Sequence, residues 1–597
     1  MIERELRELV AAVKAGRVSR RAFVYKMVGL GLIAPLATQL LAHASLAQSP
    51  TRADYKPTNA GGGGALKMLF WQAPTLLNPH FAVGTKDQEG SRIFYEPLAA
   101  WDPDGNLAPV LAAEIPEIEN GGVVPDGMSV TWKLKNDVQW HDGRPFTADD
   151  VVFNWEYAAD PATAATTIGS YQDIKVEKVD PLTVRLNFAK PTPFWADAFV
   201  GQFGMIIPKH LFEAYKGANS RDAPANLKPV GTGPYRFVDF KPGDLVNGER
   251  NPSYHLPNRP YFDTIEMKGG GDAVSAARAV LQTGEYDYAW NMQVEDDILV
   301  RLEQGSKGRV NIWATGNVEH IQLNTTDPWT EVDGERSSSK TTHPLLSDPA
   351  VRQALSLLVD RSAVQEQIYG RQGQTSANYL NAPPRVRSSN MRWEFNAEKA
   401  AQILDGAGWK RGGDGIRAKD GKRLKLMYQT SINAPRQKTQ QIVKQAAAKA
   451  GIEIEIKSVT ASVFFSSDAA NPDTYPHFYS DLQMYTNGPN APDPQYFMNQ
   501  FVSWELASKV NKWQGRNVTR WRSEEYDRAY SAADTELDPV KRAALFVKMN
   551  DLIIQGTVVI PVLWRNGASV SVANLRGMDL SGWESTFWRL SHWSRQG

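Results

Sequence analysis

The stretch "VQWHDGRPFTADDVVFNWEYA" (138–158) gathers His141, Asp142, Arg144, Asp149 and Asp150. An imidazole, carboxylates and a guanidinium this close together suit general acid–base chemistry or the holding of a cation. Each also has a local structural use. Asp142-Gly143 is a strong turn dipeptide. Thr147 and Asp150 fit the N-cap and N3 positions of a capping box, with Phe146 and Val151 as its hydrophobic staple. Asp149 and Asp150 stand where a helix dipole favours negative charge. The spacing therefore predicts a strand ending at Trp140, a turn, and a helix opening at Thr147. On these local rules the acids shape the chain and no reaction is assigned to them.

No other stretch carries a reaction signature. The phosphate loop, the zinc-binding H-E-x-x-H helix and the G-x-S-x-G elbow are all missing. The nine His are scattered without metal-ligand spacing, and Cys is absent. No catalytic residue, metal or cofactor is expected. Carboxylates distant in the chain leave a secreted, carboxylate-dependent glycan hydrolase as an alternative of a different class.

The elements that position these residues come from a chain of 597 residues, too long for one core. Hydrophobic residues make up 42% and charged ones 22%, and 66 basic residues balance 66 acidic ones. That neutrality gives no support for nucleic acid or an anionic membrane as partner. The 18 Trp suggest broad stacking surfaces.

At the N-terminus, Arg20-Arg21 precede an apolar stretch from Met27 to about Leu41. Pro35, Thr38 and Gln39 interrupt it, so it falls short of the ~20 apolar residues of a membrane span. Small residues follow at Ala42, Ala44, Ser45 and Ala47. Residues 1–47 are expected to be a twin-arginine-type signal peptide, 48–64 a flexible lead-in, and the mature chain periplasmic and not membrane-spanning. Beyond it, periodicity predicts a strand at 65–73, a short helix at 91–101, a hairpin at 231–254, helices at 348–369, 396–409, 436–451 and 525–555, and strands at 452–459 and 557–573. The mixture is α/β with more than one sheet.

The same opening residues also carry a family pattern. "WHDGRPFTADDVVFNWEY" resembles the signature of solute-binding protein family 5, the large extracytoplasmic receptors of ABC importers for peptides, nickel, opines and some oligosaccharides. "LAPVLAAEIPE" (107–117), "VGTGPYRFVDFKPGDLVNGERNPSYH" (230–255), "LLSDPAVRQALSLLVDRSAV" (345–364) and "DPQYFMNQF" resemble further family segments in the expected order. The resemblance implies a two-lobed periplasmic-binding-protein fold of the large, cluster C type, with an extra domain inserted in lobe I. Lobe I would comprise 65–105, 231–320 and 556–597, the insertion 106–230 and lobe II 321–555.

It also implies a monomeric binding protein and no enzyme. A peptide-class ligand would be held between the lobes and passed to an ABC permease and, through it, an ATPase. Leu76 and Leu77 lie where family members contact ligand, although by pattern alone they could equally face the core. Peptide-binding members hold the ligand's ammonium with an Asp in a segment resembling G-W-x-x-D-x-x-D-P. The matching stretch here is "YTNGPNAPDPQYF" (485–497), with Tyr485, Thr486 and Asn487 at its start, Asn490 in place of that Asp, and Asp493 in the final D-P. An Asn supplies no negative charge, so either another acid takes the role (Asp493, Asp481 or Glu96) or the ligand is an oligosaccharide, opine or other amide- or hydroxyl-rich solute.

Overall fold

Alternation in "ALKMLF" buries Leu66, Met68 and Phe70 beneath the strand Ala65–Phe70. This strand is the centre of a seven-stranded sheet in the order 308–313, 567–572, 288–289, 65–70, 264–269, 245–250 and 235–241. It pairs in parallel with both neighbours, and the outer pairs are antiparallel. The hairpin read from "YRFVDFKPGDLVNGER" supplies one edge, 235–241 against 245–250. The computed structural model describes residues 61–82, 84–465, 470–489 and 491–596, all within the unit Asn59–Gly597. The expected signal peptide lies outside the described residues. Of the lead-in, Gly62 and Gly64 donate their N–H groups to Asp263 at 2.9 and 3.0 Å.

A six-stranded sheet follows the order 373–375, 559–565, 318–323, 482–487, 425–431 and 453–459. A third, antiparallel sheet joins 129–133, 183–188 and 174–180. One core lies between the seven-stranded and three-stranded sheets and takes in Trp132, Trp140, Tyr157 and Trp593. A second packs the six-stranded sheet on the helices 349–357, 397–406 and 434–450. The chain passes between the two larger sheets at 314–317 and again at Asn566, against limits of 320/321 and 555/556 expected from sequence. The two passages brace each other: Thr315 donates its hydroxyl to the Arg565 carbonyl at 2.7 Å, and Trp564 donates Nε1–H to the Thr315 carbonyl at 2.7 Å.

Two expected helices differ. The run 348–369 is not continuous: the first helix ends at Leu357, and Asp360 caps a new one by accepting the Ala363 N–H at 3.0 Å. The helix expected at 91–101 lies earlier, at Thr85–Arg92. Pro97 disfavours helical backbone before it, and 99–101 is a strand.

The opening stretch takes the predicted form. The helix Ala148–Ala159 starts in a Thr147–Asp150 capping box, Asp150 accepting the Thr147 N–H at 3.0 Å. Asp150 also accepts the Lys209 N–H at 3.1 Å, and Asp142 meets His210 at 2.6 Å. His141 accepts the Gly231 N–H on Nδ1 at 3.0 Å, so its proton sits on Nε2 and is donated to the Gly233 carbonyl at 3.0 Å. Burial pushes this imidazole down to about 4, so it is neutral at pH 7. The cluster ties the helix to the "GTGPY" turn. Thr147→Ala should lower unfolding free energy by ~1 kcal/mol in urea titration; no change would mean that Asp150 alone holds this helix start.

Candidate ligand-binding cavity

A cavity of about 1260 Å3 opens between two walls. One wall comes from 165–175 and 187–203, in and beside the three-stranded sheet. The facing wall comes from 487–497 and 504–542, beyond the end of the strand Leu482–Asn487. Aromatic rings line both. Trp101 stacks on Phe194 with centroids 5.6 Å apart. Trp504 meets Tyr530 edge-on at 5.9 Å while remaining exposed. Such faces bind apolar and peptide groups without selecting a charge. Lys190 of the first wall pairs with Asp534 of the second.

The loop after Leu482–Asn487 touches the passage between the sheets. A side chain at Gly488 would put its Cβ 2.8 Å from the Asn317 Cα, and one at Gly316 would put it 2.6 Å from Pro489. Only glycine allows this approach, so the loop bordering the cavity sits directly on 314–317.

The sequence-selected residues separate into three groups. Asn487 and Asp493 border the cavity. Asn487 donates to the Gln500 side chain at 2.8 Å and accepts the Gly488 N–H at 2.9 Å. Asp493 is buried in a two-pronged ion pair with Arg542, Nη2 donating to Oδ1 at 3.0 Å, and also accepts the Gln495 N–H at 2.9 Å. Tyr485 and Thr486 lie behind the wall. Tyr485 is packed among the rings of His320, Phe464 and Tyr475. Thr486 donates its hydroxyl to the buried Glu319 and accepts from Arg436 at 3.0 Å and Arg565 at 3.2 Å. Leu77 is fully buried in the first core, and Leu76 packs against it; neither borders this cavity. Asn490 lies outside the described residues.

The other two acids considered for an ammonium are committed within the fold. Asp481 accepts from His343 and Trp329, both at 2.9 Å, and from the Met427 N–H at 2.6 Å. Glu96 accepts from Tyr254 at 2.8 Å, His255 at 2.9 Å and Thr232 at 3.0 Å. Burial alone would raise the Glu96 carboxyl, but His255 and Arg92 outweigh it and hold the group at about 2.

Sequence reasoning missed Asp197 and Arg516, which border the cavity from opposite walls. Asp197 has accessible surface because it faces the cavity. Loss of solvation against the cavity wall, with the nearby Asp493 charge adding and a Ser170 hydrogen bond opposing, pushes its carboxyl up to about 6. Arg516 lies over the Tyr496 ring at 3.7 Å. The only signal for Asp197 was an acid set in the aromatic run "PTPFWADAFV"; Arg516 had none.

The model of "Bacterial extracellular solute-binding proteins, family 5 Middle" matches residues 106–508. The chain is 28% identical over 408 residues to the oligopeptide-binding protein AppA of Bacillus subtilis, covering 66% of this chain and 69% of that one. It is 24% identical over 508 residues to the glutathione-binding protein GsiB of Shigella boydii, covering 84% and 89%. The solved structure of B. subtilis AppA in complex with a nonapeptide superposes with a TM-score of 0.74 at 24% identity, over 91% of this chain and all of that one. A family match over most of the chain, joined to the same two-lobed α/β fold with a cavity between its walls, places this protein among the bacterial extracellular solute-binding proteins of family 5.

Proposed function

We propose that the protein is the exported receptor of an ABC importer, binding a peptide-class solute between its lobes and delivering it to a membrane permease coupled to an ATPase. The observation that carries this reading is the cavity of about 1260 Å3, large for a small-molecule site and lined by aromatic rings and charges on both walls. Relatives named for oligopeptide and glutathione binding support the peptide class. In this reading the protein acts as a monomer, performs no chemistry and reaches the periplasm by the twin-arginine route. No helix among the described residues is long and apolar enough to cross a membrane. Ligand would favour the closed arrangement only as far as it binds that arrangement better. Contact between the 488–489 loop and the 314–317 passage gives closure a direct mechanical route from the cavity.

The amide-rich alternative leaned on Asn487 and Asn490. Asn487 already spends hydrogen bonds on Gln500 and on its own turn, which favours the peptide reading. Thermal-shift measurements on the exported chain with pools of free peptides, oligosaccharides and opines decide between them. A ligand at a hundred times its Kd adds ~2.7 kcal/mol to stability. Peptides are expected to raise the melting temperature; a rise with sugars or opines and none with peptides would reject the peptide class.

A further inference from the structure

The chain is neutral as a whole, but its charge is unevenly spread. Residues 410–449 carry eleven Lys and Arg against two Asp, so the rest of the chain is net negative. The segment folds as a small antiparallel ribbon (410–411, 417–419 and 422–423), the strand Lys425–Ser431 and the helix Ala434–Ala450. Six of its cations are used within the fold. Arg417 pairs with Asp405, Lys419 with Asp348, Arg423 with Asp414, Lys425 with Glu455, Arg436 with Glu319 and Lys438 with Glu295. Lys410, Arg411, Lys422, Lys444 and Lys449 are exposed and hold no ion pair among the described residues.

The ribbon and the helix adjoin. Arg411 donates to the Lys449 carbonyl and, at 3.4 Å, to the Gly415 carbonyl, which ties the ribbon to the C-terminal end of the helix. Strand register sets Lys410 beside Ala418 and Arg423, and Lys422 beside Lys419. The helix has no acidic residue over its 17 positions. The pull of a helix C-terminus on cations accounts for Arg411 and Lys449 but fades within the last turn, so it does not account for Lys410, Lys422 or Lys444. Like charges gathered on a surface repel one another, so the cluster costs stability until anions meet it. The one aromatic ring of the segment, Tyr428, is buried, so the face offers no platform for stacking a nucleic-acid base. No residue of 410–449 borders the cavity.

We propose that this basic face attracts the anionic phospholipid headgroups of the membrane that holds the permease, so that the receptor works close to that surface. This rests on the reading of the protein as an exported receptor, and it adds a second surface, apart from the cavity, whose partner is the membrane itself. Lysines spread over a ribbon and a helix suit a surface of mobile charges, because such attraction needs no fixed geometry and is screened by salt. Each cation near an anionic bilayer strengthens partitioning about fivefold. Five of them give reversible enrichment at the membrane. Since the face and the cavity share no residue, attraction to lipid and binding of solute are expected to be independent.

The test is co-sedimentation of the exported chain with vesicles of phosphatidylcholine alone and of phosphatidylcholine mixed with phosphatidylglycerol, at low and high salt. Binding is expected to the mixed vesicles only, and to fall as salt rises. Lys410→Gln, Lys422→Gln, Lys444→Gln and Lys449→Gln combined should weaken it about a hundredfold or more. A control combining Lys67→Gln, Lys228→Gln, Lys241→Gln and Lys307→Gln makes the same change in net charge at exposed positions outside the face and should bind as the parent does. Equal weakening by both would assign the binding to net charge and overturn the proposal. The first variant should melt at or above the parent temperature; a marked fall would assign its lysines to the fold and overturn it as well. Tighter binding to polyglutamate than to the mixed vesicles, lost in the same variant, would give the face to an acidic protein and overturn the lipid assignment. If peptides raise the melting temperature of parent and variant alike while no vesicle is bound, the proposal fails and the receptor reading stands. If the mixed vesicles are bound through these lysines while no solute raises the melting temperature, the receptor reading fails and the lipid-binding face stands.

Discussion

Arg436→Met should cost about 3–5 kcal/mol of stability at pH 7. Glu319 is fully buried in the strand Val318–Leu323. Arg436 donates to it at 2.8 Å, Tyr369 at 3.1 Å and Thr486 through its hydroxyl, with Arg565 farther off at 4.0 Å. Burial alone would raise the Glu319 carboxyl; the charges of Arg436 and Arg565 outweigh it and hold the group below its ordinary range. Removing Arg436 leaves a buried anion with one distant cation. Arg565 offsets part of the loss, which points to the lower end of the range.

The pH dependence separates charge from packing. With its pKa lowered in the native protein, Glu319 contributes stability that is present above the unfolded carboxylate pKa and lost as pH falls through the folded value. In the variant the folded pKa rises above the unfolded one, so the penalty acts at high pH and is relieved as the carboxyl protonates. The gap between parent and variant in urea unfolding should therefore narrow between pH 7 and pH 5. An equal gap at both would mean that the variant lost only side-chain packing.

Asp493→Asn should cost about 3 kcal/mol, again by stranding a buried charge. The Asn oxygen can keep the Gln495 N–H, but Arg542 loses its two-pronged partner and keeps the Ala533 carbonyl on Nε at 2.8 Å and the Phe546 ring at 4.9 Å, with no anion. The same change removes the anion that repels Asp197. The Asp197 carboxyl should then titrate below about 6 in carbon-detected NMR. Unchanged stability would show that the Asp493–Arg542 pair adds nothing to the fold. An unchanged Asp197 titration would show that the Asp493 charge does not set it.

Much of the fold is legible in the sequence, and the reason is locality. The Thr147–Asp150 box, the hairpin around Lys241-Pro242-Gly243 and the strand Ala65–Phe70 each depend on residues only a few positions apart. The misplaced helix near 91–101 and the broken one after Leu357 were decided by competing local signals, Pro97 and the Asp360 cap, set inside apolar runs. The site was less legible. "YTNGPNAPDP" does supply Asn487 and Asp493 to the cavity, while Tyr485 and Thr486, its immediate neighbours, lie behind the wall.

By itself, then, the sequence determined the family, through ordered motifs over most of its length, and the reading of the "WHDGRPFTADD" acids as turn and cap. It offered Asp493, Asp481 and Glu96 for a ligand's ammonium but could not say which were already taken. Only the tertiary structure decided that. Glu96 meets partners 136 to 159 residues away, Asp481 one that is 138 away, and Asp493 one that is 49 away. Asp197 and Arg516, far apart in the chain, end on the two walls of one cavity without an ion-pair partner among the described residues. Capping and turn rules act over a few residues of backbone, whereas the pairing of a buried charge depends on whatever the fold brings within hydrogen-bond distance.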